Sequence, residues 1–201
     1  MATRSVGTVL LFPGAGSGRD QSTLVAVERA VAPSWSTVRA DFAYRREGWR
    51  APDRTPTLLA TVRAELAAIR AARIVVGGRS MGGRMCSMIA AGADGEPPPA
   101  ALSGVVAISY PLHPPGRPDN LRVEHLPKIT VPCLFVHGTR DPFGSPDELE
   151  RWTATIPGPV THHWVDGGRH DLKGADAEVA GAVVDWLATA LSGRRPRRQR
   201  G

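Results

Sequence analysis

Three side chains in this sequence have the types and the chain order needed for nucleophilic catalysis: Ser80, Asp141 and His170. A serine hydroxyl is a poor nucleophile near neutral pH, so it requires a base within hydrogen-bonding reach and a third group that orients the base. Each of the three residues follows a short apolar stretch, and along the chain they occur as nucleophile, acid and base. The sequence therefore predicts a catalytic triad.

The strongest local signal surrounds Ser80. Residues 78–82 match the pattern Gly-x-Ser-x-Gly, which holds a serine in a strained turn between a strand and a helix. Residues 74–76 are apolar and β-branched, as in a buried strand, and apolar residues recur at helical spacing over 81–89. A serine between glycines can also be an ordinary turn, but the flanking strand and helix favour a nucleophile.

The identity of the acid is open to three candidates. Asp141 follows an apolar stretch, whereas Asp166 and Asp171 flank His170 directly. Sequence neighbours of a histidine in a loop usually point elsewhere, so Asp141 is the favoured partner.

The other histidines and the cysteines do not indicate a metal site. His137 ends a predicted strand, where a packed and hydrogen-bonded histidine is usual, while His162 and His163 occupy alternating positions of another strand. No pair of histidines is placed with a carboxylate at ligand spacing. Cys86 and Cys133 lie in apolar segments without a partner motif, so we expect two buried thiols and no metal.

A glycine-rich loop offers a rival interpretation. Residues 14–18 resemble a dinucleotide fingerprint, and Asp41 lies where a ribose-binding acid would follow. Arg19, however, stands where the third glycine belongs, and a dinucleotide site leaves Ser80 and His170 unexplained. We therefore expect no cofactor.

These residues need a scaffold that brings distant loops together. Apolar stretches that predict strands alternate with helical patterns, which is typical of parallel strands in a sheet covered on both faces. The predicted strands are 8–12, 35–42, 74–76, 104–108, 131–136 and 160–165. The predicted fold class is therefore α/β, with a compact, mostly parallel central sheet. In such sheets chemistry gathers at the carboxyl ends of the strands, where Ser80, Asp141, His170 and the glycine loop are all expected.

Residues 110–130 are rich in proline and are expected to form an irregular wall of the site. We expect Tyr110, Leu112 and Phe143 to contact the substrate. No large helical lid is predicted in this segment, which favours small or extended substrates.

Residues 44–50 form a polar, basic loop that could face an anionic substrate, although a solvated loop is the simpler interpretation.

Length and composition limit the function classes. The 201 residues fit a single domain over 1–192, followed by a basic tail over 193–201 that we expect to be disordered. The net charge is +6, but no nucleic-acid module accompanies it, so we expect no dedicated nucleic-acid binding. No membrane-spanning run or signal-peptide pattern is present, which makes the cytoplasm the expected location.

The chain resembles a small, lidless α/β-hydrolase of the dienelactone-hydrolase-like group. More narrowly, it is similar to bacterial relatives of the testis-expressed and NSL-complex hydrolase-like domains. The motifs at 78–82, 138–144 and 167–170 carry the resemblance, which covers about residues 8–190.

The resemblance implies a role for each site residue. Ser80 would be the nucleophile, His170 the general base and then acid, and Asp141 the group that fixes the imidazole tautomer. The backbone N–H groups of Met81 and Ala15 would form the oxyanion hole. Many relatives carry histidine just before the first glycine of that loop, whereas this chain carries proline.

The predicted activity is hydrolysis of a small carboxylic ester, thioester or lactone through an acyl-enzyme on Ser80. The alternative is a hydrolase-fold binding or scaffold module with weak or no catalysis. The expected partner is a small-molecule ester or thioester. The sequence leaves the particular ester, the pathway and the oligomeric state open.

Overall fold

A computed structural model of the protein describes residues 5–191. The described chain forms one six-stranded sheet with the strand order β2-β1-β3-β4-β5-β6, and every neighbouring pair is parallel. The strands are β1 (Thr8–Phe12), β2 (Ser36–Arg39), β3 (Ile74–Arg79), β4 (Leu102–Ile108), β5 (Cys133–Gly138) and β6 (Val160–Val165). The predicted fold class is thus confirmed.

Successive residues of a strand point to opposite sides of the sheet, so each strand presents apolar side chains to both faces. Helices cover both of these apolar faces. The helices are α1 (Ser22–Val31), α2 (Ala43–Arg46), α3 (Thr55–Ala68), α4 (Met81–Ala90), α5 (Pro146–Thr153) and α6 (Asp176–Ala190), with a 3₁₀ turn at Leu126–Lys128. In β1, Val9 and Leu11 pack against α1 and α6, whereas Leu10 and Phe12 pack in the core that α3 and α4 cover. The sheet is therefore buried on both sides, and its carboxyl edge remains available to loops.

The structure differs from the predicted elements in several places. β3 continues to Arg79, β4 begins at Leu102, and β5 is shifted to Cys133–Gly138. The strand expected over 35–42 is limited to Ser36–Arg39, because this edge strand pairs only with β1 and the chain turns away after it. The loop expected over 44–50 begins with the short helix α2. Residues 110–130 are irregular except for the 3₁₀ turn, as their prolines predict.

The predicted basic tail at 193–201 lies outside the described residues. Within residues 5–191, no helix combines the length and the apolar character needed to cross a bilayer.

Candidate active site

Ser80 lies in a sharp turn between β3 and α4. Its backbone has φ 50° and ψ −115°, a combination that residues with a side chain rarely adopt. The turn is held on one side by the Ser80 N–H, which donates to the Ile108 carbonyl at 2.8 Å. On the other side, the Arg84 N–H donates to the Ser80 carbonyl at 3.0 Å and so begins the helix. The surrounding structure thus stabilises a strained conformation that directs the hydroxyl away from the sheet.

The glycines around this turn are required by close packing. A Cβ on Gly78 or Gly82 would overlap the carbonyl oxygen of Phe12 on the neighbouring strand. A Cβ on Gly77 would overlap the carbonyl oxygen of Val106 on the other side. The spacing Gly-x-Ser-x-Gly therefore reflects the narrow gap between β3, its neighbours and α4.

The structure brings the three side chains of the predicted triad, Ser80, Asp141 and His170, into one hydrogen-bonded chain. His170 Nδ1 lies 2.8 Å from Asp141 Oδ2 and 3.1 Å from Oδ1, so the ring donates its Nδ1–H to the carboxylate. This tautomer leaves Nε2 free to accept the Ser80 hydroxyl at 2.8 Å. Asp141 is buried, whereas Ser80 and His170 are partly exposed to the cleft. The geometry permits proton transfer from the hydroxyl to the imidazole.

The carboxylate of Asp141 is fixed by its own loop. The Phe143 N–H donates to Asp141 Oδ1 at 2.9 Å, and the Phe143 ring stacks on the His170 ring with centroids 3.9 Å apart. His137 is fully buried; its Nε2 lies 3.5 Å from Asp141 Oδ2 and donates to the Gly144 carbonyl at 2.9 Å. Burial lowers the pKa of His137 below its usual range. This histidine is packed and hydrogen-bonded, as its position in the sequence indicates.

The two rival acids have other contacts. Asp166 accepts a hydrogen bond from the Thr139 hydroxyl at 3.3 Å, and Asp171 accepts one from the Lys173 N–H at 3.4 Å. Both belong to the loop that carries His170. The carboxylate that touches the imidazole is the one that follows β5.

Arg79, the variable residue before the serine, supports the histidine loop. Its Nη2 donates to the His170 carbonyl at 2.7 Å. Burial lowers the pKa of this guanidinium, while the negative charges of Asp171, Asp176 and Asp141 act in the opposite direction. Sequence analysis did not single out Arg79, because a variable position in a short motif carries no signal for a contact 91 residues away.

The two expected oxyanion donors, Ala15 and Met81, both line the cleft beside the serine. Within residues 5–191, neither N–H donates a hydrogen bond to another protein group. The loop that carries Ala15 is close to the nucleophile, since a Cβ on Gly14 would lie 3.6 Å from the Ser80 Cβ. Both groups are thus available to an oxygen placed at the serine.

The Ala15 loop is held by two side chains that sequence analysis missed. The Tyr44 hydroxyl donates to the Ala15 carbonyl at 2.7 Å, and the Gly14 N–H donates to Gln21 Oε1 at 3.4 Å. Burial raises the pKa of the Tyr44 phenol, which therefore remains a donor. These contacts secure the loop that follows Pro13.

The cleft above the serine has a volume of about 480 Å³. Phe143, one of the expected substrate contacts, lines it, whereas Tyr110 and Leu112 do not. Both of the latter side chains are fully buried, and the Tyr110 hydroxyl donates to the Arg122 carbonyl at 2.7 Å. Pro111, between them, faces the cleft instead. The expected wall is present, but two of its expected contact residues are core residues.

The glycine loop contacts both the segment after β2 and the serine cleft. Asp41 accepts a hydrogen bond from the Arg19 N–H at 2.6 Å and so links the end of the loop to the segment after β2. The glycine loop faces the serine cleft, where Gly14, Ala15 and Gly16 form part of the lining.

A parallel sheet with a strained serine turn at one strand end, and an acid and a histidine at two others, is the arrangement of an α/β-hydrolase. A family model described as an alpha/beta hydrolase domain matches residues 5–185. The chain therefore belongs to this family.

Several solved structures share the fold. A protein of unknown function from Agrobacterium tumefaciens superposes with a TM-score of 0.78 at 16% identity, covering 97% of this chain and 92% of that one. Est1E from Butyrivibrio proteoclasticus with bound ferulic acid gives 0.76 at 15% identity, covering 94% and 91%. Dienelactone hydrolase from Anabaena variabilis gives 0.70 at 19% identity, covering 92% and 87%.

Proposed function

We propose that the protein is a serine hydrolase that cleaves a small carboxylic ester, thioester or lactone through an acyl-enzyme on Ser80. The observation that carries the proposal is the continuous hydrogen-bonded chain from Ser80 through His170 to the buried Asp141, with distances of 2.8 Å at both links. A turn that is merely structural has no need of an imidazole and a carboxylate in this order.

The reaction follows from this geometry. His170 Nε2 accepts the hydroxyl proton while Ser80 Oγ attacks the carbonyl carbon, and the Nδ1–H bond to Asp141 stabilises the imidazolium. The N–H groups of Met81 and Ala15 receive the developing oxyanion. The imidazolium then protonates the leaving alcohol or thiol. Water, activated by the same imidazole, attacks the acyl-enzyme and releases the carboxylic acid and the free serine.

The open cleft supports a small substrate. The segment between β4 and β5 has no inserted helical lid within the described residues, and the cleft holds about 480 Å³. Among the structural neighbours, Est1E is seen with ferulic acid, and another is a dienelactone hydrolase. Both are consistent with hydrolysis of a carboxylic ester or lactone by this chain, at a site reached directly from solvent.

The test is a panel of p-nitrophenyl esters and acyl thioesters, assayed with the parent and with Ser80→Ala. Removing the nucleophile of a triad reduces kcat by a factor on the order of 10⁶. Ser17→Ala is the matched control, because Ser17 lines the same cleft without belonging to the triad. We expect activity in the parent and in Ser17→Ala, and none in Ser80→Ala. A parent that is inactive on the whole panel would favour the scaffold alternative.

A further inference from the structure

Arg84 and Arg122 line the same cleft as Ser80, and neither forms an ion pair with a carboxylate of residues 5–191. We infer that these two arginines form a binding subsite for a carboxylate, so that the substrate carries a free carboxylate at a distance from the bond that is cleaved. The inference rests on the proposed hydrolase function and adds a substrate class to it.

Arg84 is placed by the nucleophile turn itself. It lies one helical turn after Ser80, and its N–H bonds to the Ser80 carbonyl. With a rise of about 1.5 Å per residue, its Cα lies roughly 6 Å along α4 from that of the serine. Its Nε is buried and has no hydrogen-bond partner among the described residues. Buried donors are usually hydrogen-bonded, so an orphaned donor beside the cleft favours an acceptor supplied by a ligand.

The backbone of Arg122 is held in place by two hydrogen bonds. Its N–H donates to the Leu112 carbonyl at 2.9 Å, and its carbonyl accepts the Tyr110 hydroxyl at 2.7 Å. Its Nη1 is 3.5 Å from the Pro111 carbonyl, which is a long contact that leaves the guanidinium available.

A second contact fixes the Arg122 segment to the helix that carries Arg84. His125 Nε2 and Ser87 Oγ are 2.7 Å apart, and Ser87 Oγ donates to the Arg84 carbonyl at 2.7 Å. Both the serine and the histidine are buried. Buried hydrogen bonds therefore link the segment of Arg122 directly to the helix of Arg84.

The two arginines lack the direct ion pairs that several other arginines of the chain form. Burial, and then the positive charge of Arg84, lower the pKa of Arg122. Among the described residues, neither forms an ion pair with a carboxylate. By contrast, Arg39, Arg46 and Arg63 each bond to an acidic side chain. Two like charges that line one cleft without a direct ion pair repel each other, and a bound anion reduces this repulsion.

The charge balance favours a single carboxylate over a phosphate dianion. Arg79 also lines the cleft, but three aspartates lie near its guanidinium. Asp53 also lines the cleft, without an ion pair to either arginine, and contributes one negative charge against the two positive charges of Arg84 and Arg122. One positive charge remains, which one carboxylate neutralises. The planar fork of a guanidinium also matches a carboxylate with two parallel hydrogen bonds.

The experiment compares two esters of similar length, p-nitrophenyl hemiglutarate and p-nitrophenyl pentanoate. The measured quantity is the ratio of their kcat/KM values in the parent, Arg84→Met and Arg122→Met. We expect the parent to prefer the hemiglutarate, and each variant to lower the ratio about tenfold or more, as for a lost hydrogen bond to a charged group. Arg70→Met is the control, since this exposed arginine precedes β3 at the opposite edge of the sheet. It removes the same charge and should leave the ratio within twofold.

A binding measurement separates this inference from the proposed hydrolysis. The measurement uses calorimetric titration with monoethyl glutarate and with ethyl pentanoate. Three proteins are compared: Ser80→Ala alone, Ser80→Ala with Arg84→Met, and Ser80→Ala with Arg122→Met. We expect tighter binding of the monoethyl glutarate, which is lost in both combined variants. Parent hydrolysis without preference for the hemiglutarate, or equal binding of the two ligands, overturns the subsite and leaves the hydrolase proposal intact. Selective binding without any hydrolysis supports the subsite and contradicts the hydrolase proposal.

Discussion

His125 should make the protein less stable as the pH falls from 6.5 to 4. Burial, chiefly, and the positive charge of Arg84 lower the pKa of this histidine from 6.5 to about 4. Between these values the unfolded chain binds a proton that the folded chain excludes, so stability is present above pH 6.5 and is lost as the pH falls. At about 1.4 kcal/mol per pH unit, the full loss is about 3 kcal/mol.

The assay is urea denaturation of the parent and of His125→Gln at pH 7 and pH 5. Over this range the histidine accounts for a loss of about 2 kcal/mol in the free energy of unfolding, which the glutamine variant should not show. His137 and His162 also have lowered pKa values through burial, but they are present in both proteins and cancel in the comparison. An equal loss in parent and variant would refute the assignment of this acid sensitivity to His125.

Three further substitutions test the site. Asp141→Asn should reduce kcat on p-nitrophenyl acetate by a factor on the order of 10⁴, because the amide favours the wrong imidazole tautomer. Tyr44→Phe removes the hydrogen bond to the Ala15 carbonyl, worth about 1 kcal/mol, so kcat should fall up to about tenfold with little change in KM. Gly82→Ala should lower the melting temperature and destabilise the fold by about 1–3 kcal/mol, because the new methyl overlaps the Phe12 carbonyl.

Each of these tests has a control or a contrary outcome. Gly16→Ala enters open space and should change stability by less than about 0.5 kcal/mol, in contrast to Gly82→Ala. An unchanged kcat in Tyr44→Phe would show that the Ala15 loop does not depend on that hydroxyl. Nearly full activity in Asp141→Asn would exclude a triad role for this aspartate.

Much of the fold could be predicted because its signals are local. The strands at Thr8–Phe12 and Val160–Val165 match the predicted bounds, since each is a short apolar or β-rich run between turn residues. The serine turn was identifiable because the strand, the glycines and the helix are contiguous in sequence. Chain order and the convergence of strand ends were enough to associate Ser80 with Asp141 and His170.

Other features depend on contacts that no local pattern reports. The Tyr44 hydroxyl reaches the Ala15 carbonyl across 29 residues of chain, and the loop character of its surroundings gave no hint of this. In the irregular segment 110–130 there is no helical or strand period, so the sequence could not show that Pro111 faces the cleft while Tyr110 faces the core. The placement of Arg122 depends on the same irregular segment.

The most direct test of the central claim is covalent labelling by a fluorophosphonate, read by intact mass and peptide mapping. The parent should gain one adduct, located on Ser80, and Ser80→Ala should gain none at the same probe concentration. His170→Ala should label far more slowly, because the hydroxyl then lacks its base. An unlabelled parent, or an adduct that persists in Ser80→Ala, would contradict the assignment of Ser80 as the nucleophile.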